Sequence, residues 1–142
     1  MSQPIHILLI EDDDEDYMIT RDIVDEIPDR RYRLDWAASF EEGIAAIENK
    51  QYDVYLLDYR LGKEDGVELL RQVDAPSLES PFILLTGQDD IALDKEAMEA
   101  GAVDFLIKGE ITAGVLERTI RYAIQHRKTI LKLQRSQKLL KE

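Results

Sequence analysis

The chain has 142 residues, a length that fits one domain, with 44% hydrophobic residues, 34% charged residues and a net charge of −12. No cysteine is present, which excludes a disulfide framework and any thiolate metal site. No apolar run approaches the roughly 18 residues of a membrane span. Nor does a basic segment followed by a long apolar stretch open the chain, so the sequence reads as soluble and cytoplasmic. The charge is uneven: residues 117–142 carry eight Lys or Arg against two Glu, a net of +6, which leaves −18 on residues 1–116. So acidic a body argues against direct DNA binding, which needs a basic footprint. The basic end reads as a solvated helix face.

Along the chain, short apolar runs alternate with helical periodicity. Ile5 to Ile10 has the length and β-branching of a buried strand. A helix from about Asp14 carries Tyr17, Met18, Ile23 and Ile27, and Pro28 stops it. Arg33 to Ala37 is a short second strand. Ser39 followed by Glu42 forms a capping box for a helix that runs to about Lys50. Val54 to Leu57 is a third strand, followed by a loop from Asp58 to Asp65 and a helix from Gly66 to Val73. Phe82 to Leu85 is a fourth strand. Asp89 or Asp90 caps the next helix, with Gly101 as its C-terminal terminator. Val103 to Ile107 is a fifth strand, and Thr112 caps a final helix of nearly thirty residues. Five repeats of strand then helix specify an α/β fold, a doubly wound parallel sheet covered on both faces.

In such sheets ligands bind beyond the carboxyl ends of the strands. There the sequence places Glu11, Asp12 and Asp13 after the first strand and Asp58 after the third. Thr86 and Gly87 follow the fourth, and Lys108 and Gly109 the fifth. Each residue alone has an ordinary explanation as a cap, a turn residue or a surface lysine; convergence at one sheet edge is the signal. Clustered carboxylates need a cation, and oxygen ligands without His or Cys suit Mg²⁺ or Ca²⁺, of which Mg²⁺ better fits a few carboxylates with room for a phosphate oxygen. Asp58, fixed at the end of a buried strand, is placed to act as a nucleophile and form an acyl phosphate. Lys108 and Thr86 would then contact phosphoryl oxygens. The dense run Asp13 to Asp16 reads mainly as charge favoured at a helix start.

The segments L-L-I-E-D-D, L-L-D-Y-R-L-G, I-L-L-T-G and D-F-L-I-K-G, in that order, resemble those of bacterial response-regulator receiver domains over about residues 4–125. The resemblance implies a flavodoxin-like (βα)5 fold with strand order 2-1-3-4-5. It implies Asp58 as phosphoacceptor, and Mg²⁺ held by Glu11, Asp12, Asp58 and the Arg60 backbone carbonyl. Thr86, Gly87 and Lys108 would bind the phosphoryl group, and Thr86 and Phe105 would relay the switch. The implied partner is a sensor histidine kinase or phosphotransfer protein, and the implied role is signalling, not metabolic catalysis. Three departures stand out: Glu-Asp where Asp-Asp is frequent, Phe105 where tyrosine is frequent, and Gly109 where proline, often cis, is usual. A trans Lys108–Gly109 bond is expected, since a non-proline cis bond costs about 3 kcal/mol. Residues 1–125 are read as the receiver and 126–142 as an extension of its last helix. Ala123, His126, Ile130, Leu133, Gln137 and Leu140 recur there at coiled-coil spacing, which suits a homodimer or a link to an output domain. Two alternatives are a Mg²⁺-dependent phosphohydrolase with an aspartyl nucleophile and a phosphorylation-independent adaptor. The hydrolase would want an acid where Arg60 stands.

Overall fold

The alternation of apolar strands and amphipathic helices resolves into a five-stranded parallel sheet with helices on both faces. The computed structural model describes residues 3–28, 31–87 and 94–141. The elements are β1 (Ile5–Ile10), α1 (Asp14–Glu26), β2 (Tyr32–Ala37), α2 (Phe40–Asn49), β3 (Val54–Asp58), a two-residue hairpin β4 (Arg60–Leu61) and β5 (Glu64–Asp65), α3 (Gly66–Gln72), a 3-10 turn (Ala75–Ser77), β6 (Phe82–Thr86), α4 (Asp94–Ala100), β7 (Ala102–Ile107) and α5 (Ala113–Lys141). The sheet order is β2-β1-β3-β6-β7. With the hairpin set aside this is 2-1-3-4-5, the flavodoxin-like order that the resemblance implied. Asp89 and Asp90, read as a helix cap, lie outside the described residues.

Side-chain alternation splits the core into two layers. Leu8, Ile10, Tyr55, Leu57, Phe82 and Leu84 point to the side covered by α2, α3 and α4. Ile7, Leu9, Val54, Leu56, Ile83 and Leu85 point to the side covered by α1 and α5, where Val24, Leu116, Ile120 and Ala123 meet them. Every residue of β3 and β6 is buried, as expected for strands covered on both faces. Chain connections leave β1 and β3 toward opposite faces, so the crevice at their C-terminal ends is the topological switch point.

Local chemistry sets the helix ends. Asp13 accepts the Asp16 N–H at 3.0 Å, Asp65 the Glu68 N–H at 2.8 Å and Thr112 the Val115 N–H at 3.2 Å. Ser39 accepts the Glu42 N–H at 3.1 Å, and the Glu42 carboxylate accepts the Ser39 hydroxyl at 3.3 Å rather than a backbone N–H. The segment 58–65, read as a plain loop, contains the β4–β5 hairpin, turned by Gly62 at φ +69.

The last helix departs from its simplest reading. Ala123, the first of the coiled-coil positions, is buried against its own sheet. His126 and Gln137 are exposed, Ile130 is half-buried and Leu133 is 57% exposed. The stripe therefore turns from body to solvent partway along. Arg127 marks the turning point. It is buried, and its guanidinium donates to the carbonyl oxygens of Pro76, at 2.7 Å, and Leu78, pinning α5 to the segment before β6. Replacing Arg127 by Ala strands these carbonyls, and urea denaturation should report a loss of about 2–3 kcal/mol. Lysine should not restore it, because a single ammonium lacks the fork that reaches both acceptors.

Candidate functional site

Three of the sheet's C-terminal strand ends deliver the charged residues. Glu11 directly follows β1, and its backbone is fixed on both sides. Its N–H donates to the Ala37 carbonyl at 3.0 Å, and its carbonyl accepts the Trp36 indole N–H at 2.7 Å. Trp36 in turn stacks on Tyr17 at 4.0 Å. Asp58 is the last residue of β3. Gly66 allows α3 to start against it: a Cβ at Gly66 would lie 2.9 Å from the Asp58 carbonyl oxygen. Thr86 ends β6, and its carbonyl accepts the Lys108 N–H at 2.7 Å, which ties the ends of β6 and β7 together.

The Lys108 ammonium sits at the centre. Its Nζ lies 2.9 Å from Glu11 Oε1, 3.0 Å from Asp58 Oδ1 and 2.8 Å from Asp16 Oδ2. Glu11 is fully buried and Asp58 is 4% exposed. Burial pushes Glu11 up to about 8, with the adjoining Asp58 adding to the rise and Lys108 opposing it. Burial pulls Lys108 down, but the hydrogen bond to Asp16, the close ion pair with Glu11 and the charge of Asp58 more than offset this and hold it above its usual range. Carboxylate oxygens of Glu11, Asp12 and Asp58 lie within 4.8 Å of one another. A cleft of about 260 Å³ opens over them, lined by Asp12, Asp13, Asp16, Asp58, Arg60, Gly87 and Lys108.

The structure thus brings together Glu11, Asp12, Asp58, Arg60, Gly87 and Lys108. Asp12 is exposed, the reverse of Glu11. The Arg60 N–H approaches Asp58 Oδ1 at 3.4 Å. Thr86 is buried at the same edge, and its hydroxyl has no hydrogen-bond partner among the described residues. Phe105 is half-buried against the α2–α4 layer, its Cα opposite Leu84. The described peptide bonds include no cis bond, and Gly109 adopts φ +88. Proline, locked near −65°, cannot take that conformation, so the loop follows a path that proline would not allow.

Sequence reasoning missed Asp16 as a site residue. Helix-start charge accounts for an acid there without a partner, and nothing local points to a lysine 92 positions away. Trp36 was also missed, for the same reason of long-range pairing.

A doubly wound sheet with an acidic cluster and an embedded ammonium at its switch point defines a flavodoxin-like α/β domain with a charged site. Residues 7–121 match the response regulator receiver domain family. Transcriptional regulatory protein QseB of Haemophilus influenzae is 32% identical over 114 residues, which are 80% of this chain and 50% of that protein. Regulatory protein VirG of Rhizobium rhizogenes is 30% identical over 88% of this chain and 50% of its own. The chain spans about half the length of these relatives. Among solved structures, a receiver domain from Clostridium thermocellum superposes with TM-score 0.76 at 27% identity, covering 89% of this chain and 98% of that one. The receiver domain of the sensor histidine kinase PA1611 from Pseudomonas aeruginosa, described with a magnesium ion in its active-site cleft, gives 0.73 at 25% identity, covering 86% and 98%. The chain belongs to the response regulator receiver domain family, the phosphoacceptor switches of two-component phosphorelay signalling.

The orphaned Thr86 hydroxyl yields a stability test. A buried hydroxyl without a partner costs free energy that an isosteric methyl does not. Thr86→Val should leave the urea midpoint unchanged or raise stability by up to about 1 kcal/mol in metal-free buffer. A clear loss of stability would mean that the hydroxyl has a partner.

Proposed function

We propose that this protein takes a phosphoryl group onto Asp58 from a phosphohistidine of a sensor histidine kinase or phosphotransfer protein. The supporting observation is the placement of Asp58: a nearly buried carboxylate at a strand end, 3.0 Å from an ammonium and clustered with Glu11 and Asp12. In the reaction an Asp58 oxygen attacks phosphorus, the bond from phosphorus to the donor breaks, and the donor leaves with the electron pair. Lys108 holds phosphoryl oxygens as a point charge, Gly87 leaves room beside them, and the unpartnered Thr86 hydroxyl turns toward one. The enzyme-like chemistry is confined to this self-directed transfer and to slow hydrolysis of the product.

The residues fit a magnesium ion. The donor set is all oxygen, and Glu11 Oε1, although 2.9 Å from the Lys108 ammonium, lacks a hydrogen bond of good geometry among the described residues. Glu11, Asp12, Asp58 and the Arg60 carbonyl would hold it, with Asp12 the direct ligand and Glu11 reaching it through water. When bound, the ion offsets carboxylate repulsion and the charge of the transferring group.

New negative charge at Asp58 draws Thr86 inward, and Phe105 follows into the space it leaves. The surface of α4, β7 and α5 then changes its partner preference. Phe105 has no hydroxyl, so this relay is steric. Residues 126–142 serve as a helical arm for a homodimer or for an output unit. Leu133 is exposed there, although Arg135 still reaches back to Glu79 of the body at 3.6 Å. Direct DNA contact is not expected of so acidic a body. No described helix is long and apolar enough to cross a membrane, and a cytoplasmic setting follows from the kinase partnership.

Incubation with Mg²⁺ and acetyl phosphate should give a hydroxylamine-labile mass adduct that Asp58→Asn abolishes. No adduct on the wild type would refute the assignment. The raised Glu11 adds a pH signature. Its proton competes with the cation below about 8, so Mg²⁺ affinity should climb with pH, by up to about tenfold per unit, and level off above that value. Quenching of Trp36, which is hydrogen-bonded to Glu11, reports it. A flat profile between about pH 6 and 8 would show that Glu11 is already ionised.

A further inference from the structure

The geometry points to Asp16 as a resident competitor for Lys108, a positioning residue that sets how readily the site accepts a phosphoryl group. This rests on Asp58 being the phosphoacceptor. Asp16 stands in the first turn of α1, where an acid is favoured by the helix dipole alone. That explanation is insufficient here. The capping of the helix start falls to Asp13, which accepts the Asp16 N–H. The Asp16 carboxylate instead reaches across to the end of β7 and accepts a hydrogen bond from Lys108 Nζ at 2.8 Å, the shortest of the three carboxylate contacts that ammonium makes.

An ammonium has three N–H donors, and three carboxylates lie around this one. Two have other duties in the phosphorylated site: Asp58 becomes the acyl phosphate and Glu11 turns to the cation. Asp16 has none. It is the most exposed of the three, at 37%, and lies outside the carboxylate cluster that fits a metal ion. It also lines the cleft into which a phosphoryl group on Asp58 must project. Two effects therefore act in the same direction. Asp16 occupies a donor that a phosphoryl oxygen needs, and its negative charge faces the incoming group. Removing that charge should ease phosphorylation, whereas a residue serving only the fold or the helix start would not have this effect.

The test is an acetyl phosphate titration in Mg²⁺, read as the phosphorylated fraction by intact mass, for wild type, Asp16→Asn, Asp16→Ser and Asp16→Glu. The neutral variants should reach half-phosphorylation at a donor concentration lower by about fivefold, the scale of one partly exposed ion pair. Their acyl phosphate should also last longer, while glutamate, which keeps charge and reach, stays at the wild-type value. Unfolding midpoints and Mg²⁺ affinities measured alongside exclude a change in fold or metal site. A neutral variant that phosphorylates no more readily than wild type overturns the role of Asp16 and leaves Asp58 standing. A wild type that forms no adduct at Asp58 overturns the underlying assignment instead.

Discussion

Two carboxylates buried side by side repel each other, and the Lys108 ammonium is the cation this chain carries to them, although burial still holds Glu11 up at about 8. Glu11 is inaccessible to solvent and Asp58 nearly so, yet Lys108 lies within 3.0 Å of each. Removing one partner from such a buried set typically costs about 3–5 kcal/mol, because the remaining charge is left uncompensated. Much of the architecture serves this arrangement. The Trp36 indole fixes the Glu11 backbone, Gly66 lets α3 close against Asp58, and the Lys108 N–H ties β7 to β6.

The same arrangement makes the site responsive. An ammonium shared among three carboxylates is held by contacts that can be exchanged, not by one optimal pair. On the proposed reading, a phosphoryl group on Asp58 would bring more strongly charged oxygens, and Glu11 would help hold a bound cation. The ammonium, still tethered by β7, would then redistribute among those that remain. The buried Thr86 hydroxyl has no hydrogen-bond partner among the described residues, and on the proposed reading a phosphoryl oxygen would supply one. Partly satisfied polar groups in a low-dielectric setting respond strongly to an added charge. That is the physical basis for a switch at this sheet edge.

The parts legible in the sequence are those with a local signature. Apolar runs located all five strands of the sheet, and caps at Ser39 and Thr112 located two helix starts. The residues at and just past the strand ends include Glu11, Asp12, Asp58, Thr86 and Lys108, which the sequence pattern alone gathers at one edge. What escaped has no local mark. The β4–β5 hairpin is two residues long on each side, too short for periodicity to show. Asp16 was explained by the helix dipole, and its lysine lies on a distant strand end. The apolar stripe of the last helix looked continuous, but burial of Ala123 and the Arg127 pin assign its first part to the body.

In the proposed reaction, phosphorus ends on Asp58. Borohydride reduction of the phosphorylated protein tests it directly, because an aspartyl phosphate is reduced to homoserine while free carboxylates are untouched. Peptide sequencing should then find homoserine at position 58 alone. Homoserine at another acid, or a stable phosphate on His126 with Asp58 unchanged, would contradict the account.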